Sequence, residues 1–121
     1  MAENGSSRAP QRWIRACRVE ALRGGRIVGI HVDGRDIIVV QRDELLFAAE
    51  RACPHEGADL SLGRCHEGRL HCPRHFAWFD LASGAVSPGW SFRKLEIYPA
   101  RIVGDEIFVA LDDIGKGNVP S

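Results

Sequence analysis

The 121-residue chain reads as an all-β barrel or sandwich, an expectation that rests on three observations. Short runs of β-branched and other apolar residues alternate with turn residues along most of the sequence. Thirteen glycines and six prolines punctuate it throughout. No stretch keeps a helical period of 3.6 residues beyond two turns.

Taken in order, residues 1–10 (MAENGSSRAP) are small and polar and read as a loose tail, without the apolar segment of a secretory signal. Cys17 lies in a strand-like stretch and reads as an inert free thiol. Ile27, Ile30 and the run Ile37–Val40 sit on either side of Asp33-Gly34, a favoured hairpin turn pair. His31, beside that turn, reads as a surface residue. Leu45–Ala49 is apolar but too short to be told from a buried half-turn. Leu95–Tyr98 and Ile107–Val109 flank a further turn at Gly104-Asp105, and residues 112–121 form a second polar tail.

Composition narrows the function. Forty-five per cent apolar and 26% charged residues are ordinary for one globular domain. Sixteen basic and sixteen acidic residues cancel, which removes the electrostatic case for a nucleic-acid or anionic-membrane binder. The longest apolar runs, Ile37–Val40 and Leu45–Ala49, fall far short of the ~20 residues of a membrane-spanning helix. A soluble, cytoplasmic protein is expected.

The chemistry-bearing residues lie between Cys53 and Trp90, a loop-rich stretch with three of the four cysteines and four of the five histidines. Cys53 and His55 are one residue apart, Cys72 and His75 two, with sixteen residues between the pairs. In each pair a proline follows the cysteine and stiffens the loop before any metal arrives. Two similar loops offering thiolate and imidazole suit a metal better than a disulfide framework. A Cys₂His₂ zinc site is one possibility, although zinc fingers pair Cys with Cys and His with His. A [2Fe–2S] cluster, with both thiolates on one iron and both imidazoles on the other, needs one ligand of each kind from each loop.

With CPH and CPRH at this spacing the sequence resembles the Rieske family, and specifically its soluble ferredoxins. The resemblance runs over residues 11–111 and includes Gly57, Leu60, Phe79-Asp80, Ser83-Gly84 and Pro88. It implies a fold of three antiparallel β-sheets. A basal barrel (11–49 and 93–111) would carry a small loop-rich cluster-binding subdomain (50–92). It also implies that Cys53 and Cys72 hold the iron that stays ferric, while His55 and His75 hold the surface-proximal iron that changes valence.

Two departures point to a low-potential member. The respiratory branch carries a further cysteine in each loop, joined as a disulfide; here those positions are Ala58 and Arg74. That branch also places hydroxyl donors two and four residues after the second histidine, where this chain has Ala77 and Phe79. Without those donors to sulfur, a potential of about −150 mV, the low end of the Rieske range, is expected.

The remaining polar residues of the segment are expected to be non-ligands. Cys65 and His66 precede a turn at Glu67-Gly68, and His71 alternates away from its neighbour Cys72. Arg74, Phe76 and Trp90 are candidates, with His55 and His75, for a docking face at the cluster tip; Glu56 and Asp59 read as solvated loop charges. The resemblance implies a one-electron carrier, itself no enzyme. It would link an NAD(P)H-dependent flavin reductase to a terminal ring-hydroxylating Rieske oxygenase. The small subunit of an assimilatory nitrite reductase and a zinc-dependent interaction module without redox function are the alternatives.

Overall fold

The computed structural model describes residues 11–112 except Asp43 and His75. The expected tail at 1–10 and, but for Asp112, the expected tail at 112–121 therefore lie outside the described residues, as does one expected ligand, His75. Ten strands form three antiparallel sheets. The first sheet orders β1 (Gln11–Arg18), β10 (Glu106–Asp112) and β9 (Ala100–Val103). The second orders β2 (Val28–Val32), β3 (Arg35–Arg42), β4 (Leu45–Glu50) and β8 (Ile97–Tyr98). The third, small sheet contains β5 (Arg64–His66), β6 (Arg69–His71) and β7 (Trp78–Asp80).

The turns follow their chemistry. Asp33 and Gly34 have φ of 52° and 78°, and Glu67 and Gly68 have φ of 54° and 77°. Positive φ at both central residues gives the turn whose twist matches a right-handed hairpin. The ambiguous Leu45–Ala49 run is a strand, pairing Ala48 with Val39 and Ala49 with Ile38. Asp112, expected as the first residue of the C-terminal tail, instead pairs with Gln11 at the end of β10.

The second sheet is the middle layer. Ile37 and Val39 face one core with Leu22, Ile107, Val109 and Leu111. Ile38 and Val40 face the other, with Ala49, Cys53, Leu60, Leu70, Cys72, Phe79 and Leu81. A strand covered on both faces explains why Ile37–Val40 is apolar without alternation. It also explains how the small sheet is held, since its buried residues and both cysteines share one core with Ile38 and Val40 of β3. The 3₁₀ segment Val19–Gly25 was not visible in the sequence pattern; Leu22 anchors it in the first core. Among the described residues no helix is long and apolar enough to cross a membrane.

Candidate metal centre

Two loops lie at the same end of the small sheet, one leading into β5 at Arg64 and the other leaving β6 at His71, and they close alike. The Cys53 N–H donates to the Ala58 carbonyl at 2.8 Å, and the Cys72 N–H donates to the Ala77 carbonyl at 3.1 Å. In each case the acceptor lies five residues after the cysteine, and both alanines are buried. The first loop is tightened further, because the Gly57 N–H donates to the Cys53 carbonyl at 2.7 Å with Gly57 at φ 75°. That left-handed φ favours glycine.

Cys53 and Cys72 are buried, unbridged and next to each other. Burial pushes the Cys53 thiol up, opposed by the backbone N–H groups of His55 and Glu56 aimed at its sulfur; the adjacent Cys72 adds a smaller upward push. Two dry sulfurs side by side, with N–H donors fixed on one of them, form a donor set for a metal that keeps thiolates ionised.

His55 stands at the rim with about a third of its side chain exposed. Its ring stacks on Phe92 with centroids 4.8 Å apart and planes within 9°. Trp90 meets it edge-on at 5.4 Å, and Phe92 in turn leans on the buried Phe79 at 5.8 Å. His55 is thus held in an aromatic corner continuous with the core. On the second loop Arg74 and Phe76 are exposed, and Arg74 lies 3.8 Å from the Glu56 carboxylate on the first. Among the described residues no three His, Cys, Asp or Glu side chains gather as a single-ion site.

Asp59 has a different role from the solvated charge expected of it. Its carboxylate accepts from Arg51 at 2.9 and 3.1 Å, from the Ser61 N–H at 3.0 Å and from the Ser61 hydroxyl at 2.7 Å. The Arg51 guanidinium, then Ser61, hold that carboxyl well below the usual carboxylate range. The Arg51–Asp59 pair closes the base of the first loop, across the bridge between Ala52 and Asp59. Cys65 and His66 fall on β5 before the expected turn, Cys65 half-buried against the core. Burial pushes the thiols of Cys17 and Cys65 up, in keeping with unreactive side chains. Sequence reasoning missed Phe92 and the Arg51–Asp59 pair. An aromatic two residues beyond Trp90 was the available signal for the first; nothing local marked the second.

Comparison with known proteins decides the family. A family model described as the Rieske [2Fe-2S] domain matches residues 12–99. The chain belongs to the Rieske [2Fe-2S] domain family. Among Rieske relatives, the naphthalene 1,2-dioxygenase system ferredoxin component of Pseudomonas aeruginosa is 24% identical over 101 residues, 84% of this chain and 97% of that one. The ferredoxin of carbazole 1,9a-dioxygenase from Nocardioides aromaticivorans superposes with a TM-score of 0.73 at 28% identity, covering 80% of this chain and 95% of the other. A Mycobacterium tuberculosis protein described as an NADH-dependent nitrite reductase small subunit gives 0.72 at 28%, covering 84% and 96%. The cofactor of this Rieske protein is accordingly a Rieske-type [2Fe–2S] cluster, and the paired buried sulfurs fit it. That finding sets aside the zinc module considered from the sequence.

Proposed function

We propose that Cys53 and Cys72 hold one iron of the cluster and His55 and His75 the other, and that the chain is a one-electron carrier. In this reading it receives electrons from an NAD(P)H-dependent flavin reductase and delivers them to a terminal Rieske oxygenase, in the cytoplasm. Residues 11–111 act as one domain, with 50–92 as its cluster-binding part. The observation that carries the reading is the pair of matched loops, each closed by the same hydrogen bond from its cysteine N–H. Two relatives named as ferredoxin components are covered over 97% and 95% of their lengths.

Bound in this site, the cluster supplies reversible one-electron chemistry. The chain's own residues set the conditions. Buried Cys53 and Cys72 keep water from the sulfurs, and the N–H groups of His55 and Glu56 favour the ionised form of Cys53. Ala77 and Phe79, both fully buried, bring no hydroxyl towards the sulfurs, which supports a potential near the low end of the family range. His55 stays reachable between Trp90 and Phe92, so a partner's surface can approach that ring.

The nitrite reductase small subunit is the second reading, favoured by the similarity to the Mycobacterium tuberculosis protein. The presence of both cysteines and both histidines favours the carrier.

The test is a low-temperature EPR spectrum of anaerobically purified, dithionite-reduced protein. A rhombic signal with average g below that of all-cysteine ferredoxins is expected. A colourless, EPR-silent, zinc-containing protein would overturn the reading. Electron delivery to an oxygenase rather than to nitrite reduction then separates the two Rieske roles.

A further inference from the structure

Beside the second loop runs an open groove with Cys72 in its lining. Arg64, His71 and Arg74 line it together with the exposed Leu62 and Phe76. We propose that this groove is the face on which a redox partner docks, through an apolar contact ringed by glutamate and aspartate carboxylates. The proposal rests on the electron-carrier reading above, and names the chemistry of the partner at that site.

Two independent features point there. The first is apolar exposure: Phe76 is 93% exposed and Leu62 73%, the highest values among the exposed large hydrophobic residues described. Single exposed apolar side chains are ordinary, but two flanking one groove next to a ligand loop form a contact patch. The second is charge. Among the described residues lining the groove there are two arginines and two histidines and no carboxylate, although the whole chain has a formal net charge of zero. The basic side chains are therefore concentrated locally. Arg64 sits opposite His71 in the β5–β6 ladder and pairs with no described carboxylate. Two described acids pair with groove residues: Glu56, 3.8 Å from Arg74, and Glu67, 3.8 Å from His66 at the hairpin tip. Both lie outside the lining.

Guanidinium groups recognise carboxylates with a planar fork, and such charges speed encounter more than they deepen affinity. That suits a carrier, which must dock quickly and leave. The first loop contrasts with this: its histidine is already covered on two sides by Phe92 and Trp90.

The experiment uses the cluster-loaded full chain. After reduction with dithionite and its removal, oxidation is followed by stopped flow with ferricyanide, which takes one electron to become ferrocyanide. A parallel series uses hexaamminecobalt(III), a cationic acceptor of one electron. The variant R64E/R74E is compared with R12E/R15E, which changes net charge equally on β1, whose sheet packs on the other core of the middle sheet. At low ionic strength the groove variant should lose about tenfold with ferricyanide and gain with the cobalt complex. Both effects should vanish in 1 M salt, where the screening length falls to about 3 Å. The control should change either rate by less than about twofold, given the distance dependence of screened charges. Poly-L-glutamate should compete with ferricyanide on the wild type and not on the groove variant. Equal effects of the two charge reversals, or competition that survives R64E/R74E, would overturn the proposal. If R74E disturbs loading, R64E alone carries the test. A wild-type protein lacking the EPR signal would instead count against the carrier reading, so the two failures are distinct.

Discussion

The two ligand loops close with the same hydrogen bond, yet one is clasped and the other is open. The first, Cys53–Ala58, has Arg51–Asp59 at its base, a glycine-tightened turn within it and an aromatic wall beside His55. The second, Cys72–Ala77, follows directly from β6 and exposes Pro73, Arg74 and Phe76. The comparison teaches that a rigid metal site does not need two equally supported halves. One loop can be fixed by packing, and the other positioned against it, leaving its outer surface free for recognition.

The link between the loops is the place to break this arrangement with the largest effect. After the 3₁₀ turn Leu60–Leu62, Gly63 lies so close to the His71 carbonyl that a Cβ there would overlap it. His71 immediately precedes Cys72, so any larger residue at 63 pushes the second loop away from the first. Gly63→Ala should cost about 3 kcal/mol, within the range for overpacking a tight interior contact. Thermal unfolding with the iron content measured alongside should show a lower Tm and incomplete cluster loading. Full loading with an unchanged Tm would show that the loops do not depend on this contact.

Next in size is the clasp on the first loop. Asp59→Asn keeps the shape of the side chain but removes the charge that Arg51 and Ser61 address. About 1–2 kcal/mol should be lost, below the full value of charged hydrogen bonds because the pair is a third exposed. The pH dependence has a definite sign. A carboxyl held below its unfolded value stabilises the fold fully above about pH 4, and that contribution fades as pH falls towards the folded value. Wild type should therefore lose stability on acidification more steeply than D59N. Parallel stability curves for the two proteins would remove Asp59 from the account of the first loop.

The same asymmetry marks what the sequence disclosed. Turn pairs at Asp33-Gly34, Glu67-Gly68 and Gly104-Asp105 were readable because the conformation each needs is written in adjacent residues. The doubly covered run Ile37–Val40 was visible as a strand, since burial on both faces leaves an apolar signature in one segment. The Cys-His spacing was equally local and carried the family. By contrast, the Arg51–Asp59 clasp and the Phe92–His55 stack join residues whose meeting depends on how loops fold back, 37 residues apart in the second case. The pairing of β1 with β10 across the whole chain leaves no mark in either strand alone. The openness of the second loop was likewise a property of packing, invisible in CPRHF itself.

The finest probe compares one aromatic on each loop's surroundings. Phe92 stacks on His55 and leans on Phe79, whereas Phe76 projects into solvent. Phe92→Leu keeps much of the apolar volume but removes the parallel ring, and should cost about 1 kcal/mol, the size of an aromatic pair beyond its area. Phe76→Leu should stay within about 0.5 kcal/mol, as surface substitutions do. Stability alone would only separate wall from surface. The sharper measurement is the EPR line shape of the reduced, loaded protein, which responds to the orientation of the histidine ring. F92L should shift the g values while F76L leaves them at wild type. A shift in both, or in neither, would mean that the aromatic wall does not orient His55, and that the first loop owes its geometry to the Arg51–Asp59 clasp and the glycine turn alone.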